Sequence, residues 1–192
     1  MGAVERHLLL PRAGITAGDV LLGVASSGLH SNGFSLVRQI VSLTELSYSS
    51  PCPWDSETTL GRALLEPTRI YVRQILPAVH AGLIKGMSHI TGGGFIENIP
   101  RVLPKGLGCY VDVSAWNLPQ VFRFLMKQGG VAPLEMARTF NNGIGMVIVV
   151  GRDEVDVAIQ ALSNGAPTTV HKIGEVMIGQ GVEMRNLSTW ST

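Results

Sequence analysis

The chain has 192 residues, 45% of them hydrophobic and only 15% charged, with a formal net charge of +1. That length suffices for one core-bearing domain, and the near-neutral balance gives no electrostatic ground for nucleic acid or a membrane surface as partner. The small charged fraction points instead to a surface buried against another domain or subunit.

Cys52 and Cys109 are the two cysteines, which argues against a disulfide framework and fits a reducing, cytoplasmic setting. No run reaches transmembrane length and no signal-peptide pattern opens the chain, so Met1 reads as a start placed on a fragment. Residues 1–18 read as a lead-in kept irregular by Pro11 and Gly14, followed by one domain over residues 19–187 and a tail over 188–192.

The continuously apolar run Val20-Leu21-Leu22-Gly23-Val24-Ala25 predicts a strand buried on both faces. It stops at Ser26-Ser27-Gly28-Leu29-His30-Ser31-Asn32-Gly33, beyond which Phe34, Val37, Ile40 and Val41 recur at helical spacing. Ser31 or Asn32 is the expected N-cap. The same loop offers hydroxyls, an amide, an imidazole and free backbone N–H groups, the parts that hold a sugar phosphate. Asn32 serves equally well as a cap only, whereas His30 is read as a ligand contact. Neither Ser26 nor Ser27 has the glycines of a nucleophile elbow, which disfavours a serine hydrolase.

Residues 43–59, with Ser-Pro-Cys-Pro-Trp-Asp, read as a surface loop, and residues 59–65 as a short helix. A longer helix is expected over 68–81, with Ile70, Val72, Ile75 and Leu76 on its apolar face and Pro77 kinking or ending it. Arg69 and Tyr71 are available to line a pocket.

The sequence Met87-Ser88-His89-Ile90-Thr91-Gly92-Gly93-Gly94-Phe95-Ile96-Glu97-Asn98 then places three consecutive glycines between a strand and a helix. Such a run is costly in conformational entropy and lets a ligand approach bare backbone. A phosphate cradle and a flexible connection both account for it. No Lys-Ser or Lys-Thr follows, so it is not a nucleotide P-loop, and the dinucleotide G-x-G-x-x-G spacing is absent. Under the cradle reading, Gly93→Val is expected to reduce activity far more than stability.

A short helix over 96–102 is expected to stop or bend at Pro100, followed by a strand over 108–113 and helices over 121–127 and 134–140. Residues 144–150 are the most strand-like run and are expected at the sheet centre, ahead of a helix over 153–162. Two closing strands, 170–177 and 182–184, look like a hairpin across Ile178-Gly179-Gln180-Gly181. Strands and helices alternate irregularly, which predicts an α/β sandwich, a mixed sheet flanked by helices.

His7, His30, His80, His89 and His171 have no second histidine at ligand spacing and there is no C-x-x-C, so no intrinsic metal site is expected. Glu97 and Asn98 are secondary candidates beyond the glycines, and a carboxylate in a first helical turn is favourable with no ligand at all.

Taken together, Ala25 to Arg38, Pro67-Thr68-Arg69-Ile70-Tyr71, His89 to Gly94 with Glu97-Asn98-Ile99-Pro100, and Met136-Ala137-Arg138-Thr139-Phe140-Asn141 with Gly143-Ile144-Gly145-Met146 resemble the phosphoribosylformylglycinamidine cyclo-ligase family, or aminoimidazole ribonucleotide synthetases. The resemblance covers only that family's C-terminal half. It implies a partly ferredoxin-like sandwich, and a parent enzyme whose absent N-terminal domain carries most of the ATP and magnesium site and the homodimer interface. The stretch from Tyr48 to Thr59 resembles eukaryotic versions fused to other purine-biosynthesis enzymes. It further implies that Ser27, Gly28, His30, Ser31 and Asn32 contact formylglycinamidine ribonucleotide, with His30 the catalytic candidate. Thr91, Gly92, Gly93 and Gly94 would face the phosphate-bearing cleft, with His89 and Asn141 as further candidates. The isolated chain is then expected to be inactive. The alternatives are a non-catalytic binding or oligomerisation module, or another ATP-dependent member of the wider superfamily.

Overall fold

Every residue from Val20 to Val24 is buried in the first strand, β1 (Val20–Ala25), because both faces of the sheet it belongs to are covered. The computed structural model describes residues 4–165 and 168–191; residues 1–3 of the expected lead-in and Thr192 of the expected tail lie outside them. The other strands are β2 (Pro51–Cys52), β3 (Asp55–Thr59), β4 (Ile84–His89), β5 (Leu107–Asp112), β6 (Ile144–Val150), β7 (Val170–Ile178) and β8 (Val182–Arg185). The helices are α1 (Phe34–Ser42), α2 (Leu60–Leu64), α3 (Val72–His80), α4 (Gly94–Asn98), α5 (Gln120–Gly129), α6 (Pro133–Thr139) and α7 (Val155–Ser163). Six strands form one sheet in the order β4-β6-β1-β7-β5-β8, and β2 with β3 makes a separate ribbon. The sheet is mixed, as expected: β8 joins β5 in parallel, while the other pairings are antiparallel.

Strand alternation sorts the core into two layers. Leu21, Ile144, Val147 and Val149 face α1, α2, α4, α5 and α6, whereas Val20, Leu22, Val24, Ile148 and Val150 face α3 and α7. Each such aliphatic side chain contributes about 1.5–3 kcal/mol by leaving water. The absence of polar residues in β1 and β6 follows from this double cover.

Several expectations need correction. β6 is interior and wholly buried, but it stands next to the edge strand β4, and β1 and β7 occupy the centre. β7 and β8 are no hairpin, since β5 runs between them. The turn after β7 crosses the start of β5, where Gly179 N–H donates to Gly106 O and Cys109 N–H to Gly181 O. The expected surface loop over 43–59 contains the β2–β3 ribbon. α3 is shorter than expected and runs through Pro77; it buries Ile75, Ala78 and Val79, while Ile70 is 83% exposed and Val72 and Leu76 also face outward. Ser31 and Asn32 do not cap α1. Gly33 does so with a left-handed φ of 72°, and the Phe140 ring occupies the space a Cβ there would need. α4 begins at Gly94, and the expected change at Pro100 is a switch to a 3-10 turn over Ile99–Val102.

Candidate functional site

β1 and β4 flank β6 and are both antiparallel to it, so they run in the same direction. Their C-terminal ends therefore emerge at one end of the sheet, on either side of the first residues of β6. The 26–33 loop and the glycine run are neighbours for that reason. Ser26 N–H donates to Gly143 O and Ile90 N–H to Gly145 O, both at 2.8 Å, which ties each loop to the entry of β6.

In the first loop His30 is buried in a left-handed conformation, φ 58°. Its Nε2 accepts the N–H of Ser27 at 3.2 Å and that of Arg69 at 3.5 Å. An accepting Nε2 leaves the ring proton on Nδ1, and Nδ1 is buried without a partner. Burial, reinforced by the neighbouring His89 and Arg69, lowers the imidazole pKa from 6.5 to about 4. A neutral ring whose basic nitrogen is engaged by backbone holds the loop's shape and has no proton to give as an imidazolium. Asn141, fully buried, braces the same loop. Its Nδ2 donates to Gly28 O and Leu29 O, and its Oδ1 accepts from Gly143 N–H and the Ser26 hydroxyl. The Ser27 hydroxyl donates to Pro67 O at 2.7 Å, and exposed Ser31 pairs with Thr68 at 3.3 Å. Asn32 is half-buried in the segment leading to Gly33.

The three glycines have three different reasons to be there. A Cβ on Gly94 would lie 2.0 Å from the carbonyl oxygen of Ala137 in α6, so packing dictates that glycine. Gly93 has φ 93° and a Cβ would meet the side chain of Glu97, so backbone conformation dictates the second. Gly92 is exposed, outside the left-handed region, and has nothing within 4 Å of a Cβ. Nothing in the fold asks for a glycine at position 92.

Asn98 organises the run from below. Its Nδ2 reaches the carbonyls of Thr91, Gly92 and Gly94 at 3.3, 3.1 and 2.8 Å, and its Oδ1 accepts from the Thr91 hydroxyl and Arg101. With those carbonyls turned toward Asn98, no backbone carbonyl among the described residues accepts from Gly92 or Gly93 N–H. α4 is barely more than a turn, so these N–H groups rather than a helix dipole are what the run offers an anion. Glu97 is exposed, 4.0 Å from Arg101 across the following turn.

Three rings join the loops. His30 and exposed His89 lie 6.4 Å apart between centroids, and Tyr71 makes edge contacts with both at 6.2 and 6.3 Å. The Tyr71 hydroxyl donates to Ala25 O at 3.0 Å. On the other side of the first loop opens a cleft of about 490 Å3, bounded by Ser26, Ser27 and Gly28, by Trp54, Asp55 and Thr58 of the ribbon, and by Arg62 and Glu66. The glycine run is not among its walls. The structure thus brings His30 to His89, and Thr91 and the glycines to Asn98, while Ser27 and Gly28 face a different opening. Sequence reading missed the ribbon wall and Gly145. An isolated glycine in a β-branched run was the available signal for the latter.

Among the described residues no group of three or more His, Cys, Asp or Glu side chains converges as a metal site, and no helix is long and apolar enough to cross a membrane.

The chain is similar to known proteins over nearly its whole length. It is 45% identical over 197 aligned residues to the bifunctional purine biosynthetic protein ADE1 of Schizosaccharomyces pombe, covering 100% of this chain and 25% of that protein. It is 49% identical over 178 residues to the bifunctional purine biosynthetic protein PUR2,5 of Pichia angusta, covering 92% and 22%. It therefore spans about a quarter of the length of the curated relatives it matches. Among solved structures, thiamine-monophosphate kinase from Stenotrophomonas maltophilia shares the fold at TM-score 0.64 and 18% identity, over 95% of this chain and 54% of that one. T. maritima PurL complexed with AMPPCP shares it at TM-score 0.55 and 14% identity, over 96% and 26%. The family model described as AIR synthase related protein, C-terminal domain, matches residues 16–185. With its sheet, both loops and nearly all of its length inside that match, the chain belongs to the AIR synthase related family as a C-terminal domain.

Proposed function

We propose that the chain is the C-terminal half of an ATP-dependent cyclo-ligase that converts formylglycinamidine ribonucleotide to aminoimidazole ribonucleotide in purine biosynthesis. The observation that carries this is the arrangement of two bare loops at one end of the sheet, in a chain nearly half identical to bifunctional purine biosynthetic proteins. In such a reaction ATP converts the formyl-amide oxygen to a phosphate ester, and the amidine nitrogen of the same molecule closes the ring and expels phosphate. Holding nitrogen and carbon together is intramolecular positioning, so the protein's part is to clamp phosphates and fix geometry.

On this reading Gly92 and Gly93 N–H groups receive phosphate oxygens, with Thr91 and Gly94 shaping the cradle and Glu97 at its rim. Ser27, Gly28, Ser31 and Asn32 present the ribonucleotide side. His30 and Asn141 hold the 26–33 loop, Asn98 holds the glycine run, and His89 stands between the two. The described carboxylates form no cluster suited to Mg2+, so no step is assigned to a metal held by this chain. ATP and Mg2+ are placed mainly with an N-terminal domain of the parent, a cytoplasmic and homodimeric enzyme. The outward-facing Ile70, Val72 and Leu76 offer apolar surface for contact with that domain.

The test is a titration of the 192-residue chain with inorganic phosphate, followed by amide NMR, together with an ATP-dependent ring-closure assay on chain and parent. Shifts at Gly92 and Gly93, activity in the parent and none in the chain are expected. Silence at both loops would leave a non-catalytic module as the better reading. Ring closure by the chain alone would refute its dependence on the N-terminal domain.

A further inference from the structure

One residue of β6 has no counterpart in β1. Val24 pairs with Met146 and Ala25 with Ile144, so Gly145 is the extra residue of a β-bulge. Bulges re-aim backbone and are concentrated next to active sites. This one lies where both loops and a third segment meet. The Gly145 carbonyl accepts from Ile90 N–H, the first residue after β4. Against its Cα lie Tyr71 and His30: a Cβ there would be 2.0 Å from the Tyr71 hydroxyl oxygen and 2.7 Å from His30 Cε1. That hydroxyl is itself tied to Ala25 O, the last carbonyl of β1. The hydroxyl of Tyr71 therefore fills the room Gly145 leaves, and through these contacts the two loops share one support.

We propose that Tyr71 and Gly145 are positioning residues that set the spacing between the 26–33 loop and the glycine run, so that neither loop can shift without the other. This rests on the phosphate reading of the glycine run. Neither residue need touch a ligand: Gly145 lies within the sheet, and Tyr71 is buried with its hydroxyl engaged. What they supply is registration, and misplacement by about an ångström costs on the order of tenfold or more in sites of this kind.

The contact predicts a specific rescue. Gly145→Ala drives a methyl into the Tyr71 hydroxyl, whereas Tyr71→Phe removes that oxygen and leaves the ring. Phosphate affinity, read at the Gly92 and Gly93 amides, is expected to fall about tenfold in Gly145→Ala and to recover part of that loss in the double variant, where the methyl still presses on His30 Cε1 and on Tyr71 Cζ. Amide shifts in the unliganded Gly145→Ala chain are expected in both loops at once. Tyr71→Phe alone loses only a hydroxyl, so it supplies the answer should Gly145→Ala not fold; shifts spreading from Ala25 to Gly92 and a several-fold weaker phosphate affinity are expected. The proposal is overturned if Gly145→Ala binds phosphate like wild type, if adding Tyr71→Phe recovers none of the loss, or if only one loop responds. A wild-type chain indifferent to phosphate overturns the anion reading itself, which distinguishes the two failures.

Discussion

The side-chain amide of Asn98 donates to the carbonyl of Gly94 at 2.8 Å, and that one nitrogen also reaches the carbonyls of Gly92 and Thr91. A buried side chain thus takes up the carbonyls of Gly92 and Gly94 while Glu97 N–H takes that of Gly93, and the Gly92 and Gly93 N–H groups donate to no backbone carbonyl among the described residues.

Asn98→Ala should therefore take the side-chain donor from the carbonyls of Thr91, Gly92 and Gly94, of which Thr91 O keeps the Gly94 N–H. The expected cost is about 2–3 kcal/mol in chemical denaturation, the penalty for stranded buried polar groups. Phosphate affinity should fall with it, because the carbonyls become free to turn outward. A loss below about 0.5 kcal/mol, the range of surface substitutions, would show that the loop holds its shape without Asn98.

The glycines should separate cleanly by variant. Gly94→Ala meets the Ala137 carbonyl and should cost about 3 kcal/mol or more in stability. Gly92→Ala has open space and should leave stability within about 1 kcal/mol of wild type. It should nevertheless weaken phosphate binding about tenfold, or 1.4 kcal/mol, since the methyl enters the approach to the N–H groups. The expected contrast for Gly93→Val does not survive the structure: its φ of 93° and the nearby Glu97 make that change destabilising as well. Equal thermal and binding losses in Gly92→Ala would count against the cradle.

Asn141→Ala removes three hydrogen bonds that join the 26–33 loop to the segment leading into β6, and a fourth, from Gly143 N–H, within that segment. A loss of about 2–4 kcal/mol is expected in urea unfolding, with accelerated amide exchange at Leu29 and His30 ahead of the sheet. Uniform exchange across the domain would contradict a local brace.

The pH dependence of His30 has a definite sign. Its folded pKa, about 4, lies below the unfolded value of 6.5, so the unfolded chain binds the proton first as pH falls. Stability is fully present above pH 6.5 and should be lost progressively between 6.5 and 4, with a slope approaching one proton. His171, also lowered by burial, adds to the same trend. His30→Asn tolerates the left-handed backbone, so the difference between its urea-stability profile and that of wild type isolates the histidine. Parallel profiles would mean that His30 titrates normally.

Elements whose pattern is local were legible in the sequence. Val20–Ala25 and Ile144–Val150 are continuous apolar runs that only a doubly covered strand accommodates, and α5, α6 and α7 carry helical spacing with recognisable stops. The triple glycine and the Ser-Ser-Gly-Leu-His-Ser-Asn-Gly loop were visible for the same reason, as local departures from any regular pattern. Strand partners were not legible, because hydrogen bonding between strands is indifferent to which apolar run supplies it. β5 could separate β7 from β8 only through the tertiary fold. The jobs of individual polar residues were also decided there. Asn98 and Asn141 became braces, and His30 a neutral acceptor, because of which carbonyls and N–H groups the folded chain delivers to them. Composition fixes how much can be buried; only the closed structure determines which polar groups must be satisfied inside, and so which remain free to meet a ligand.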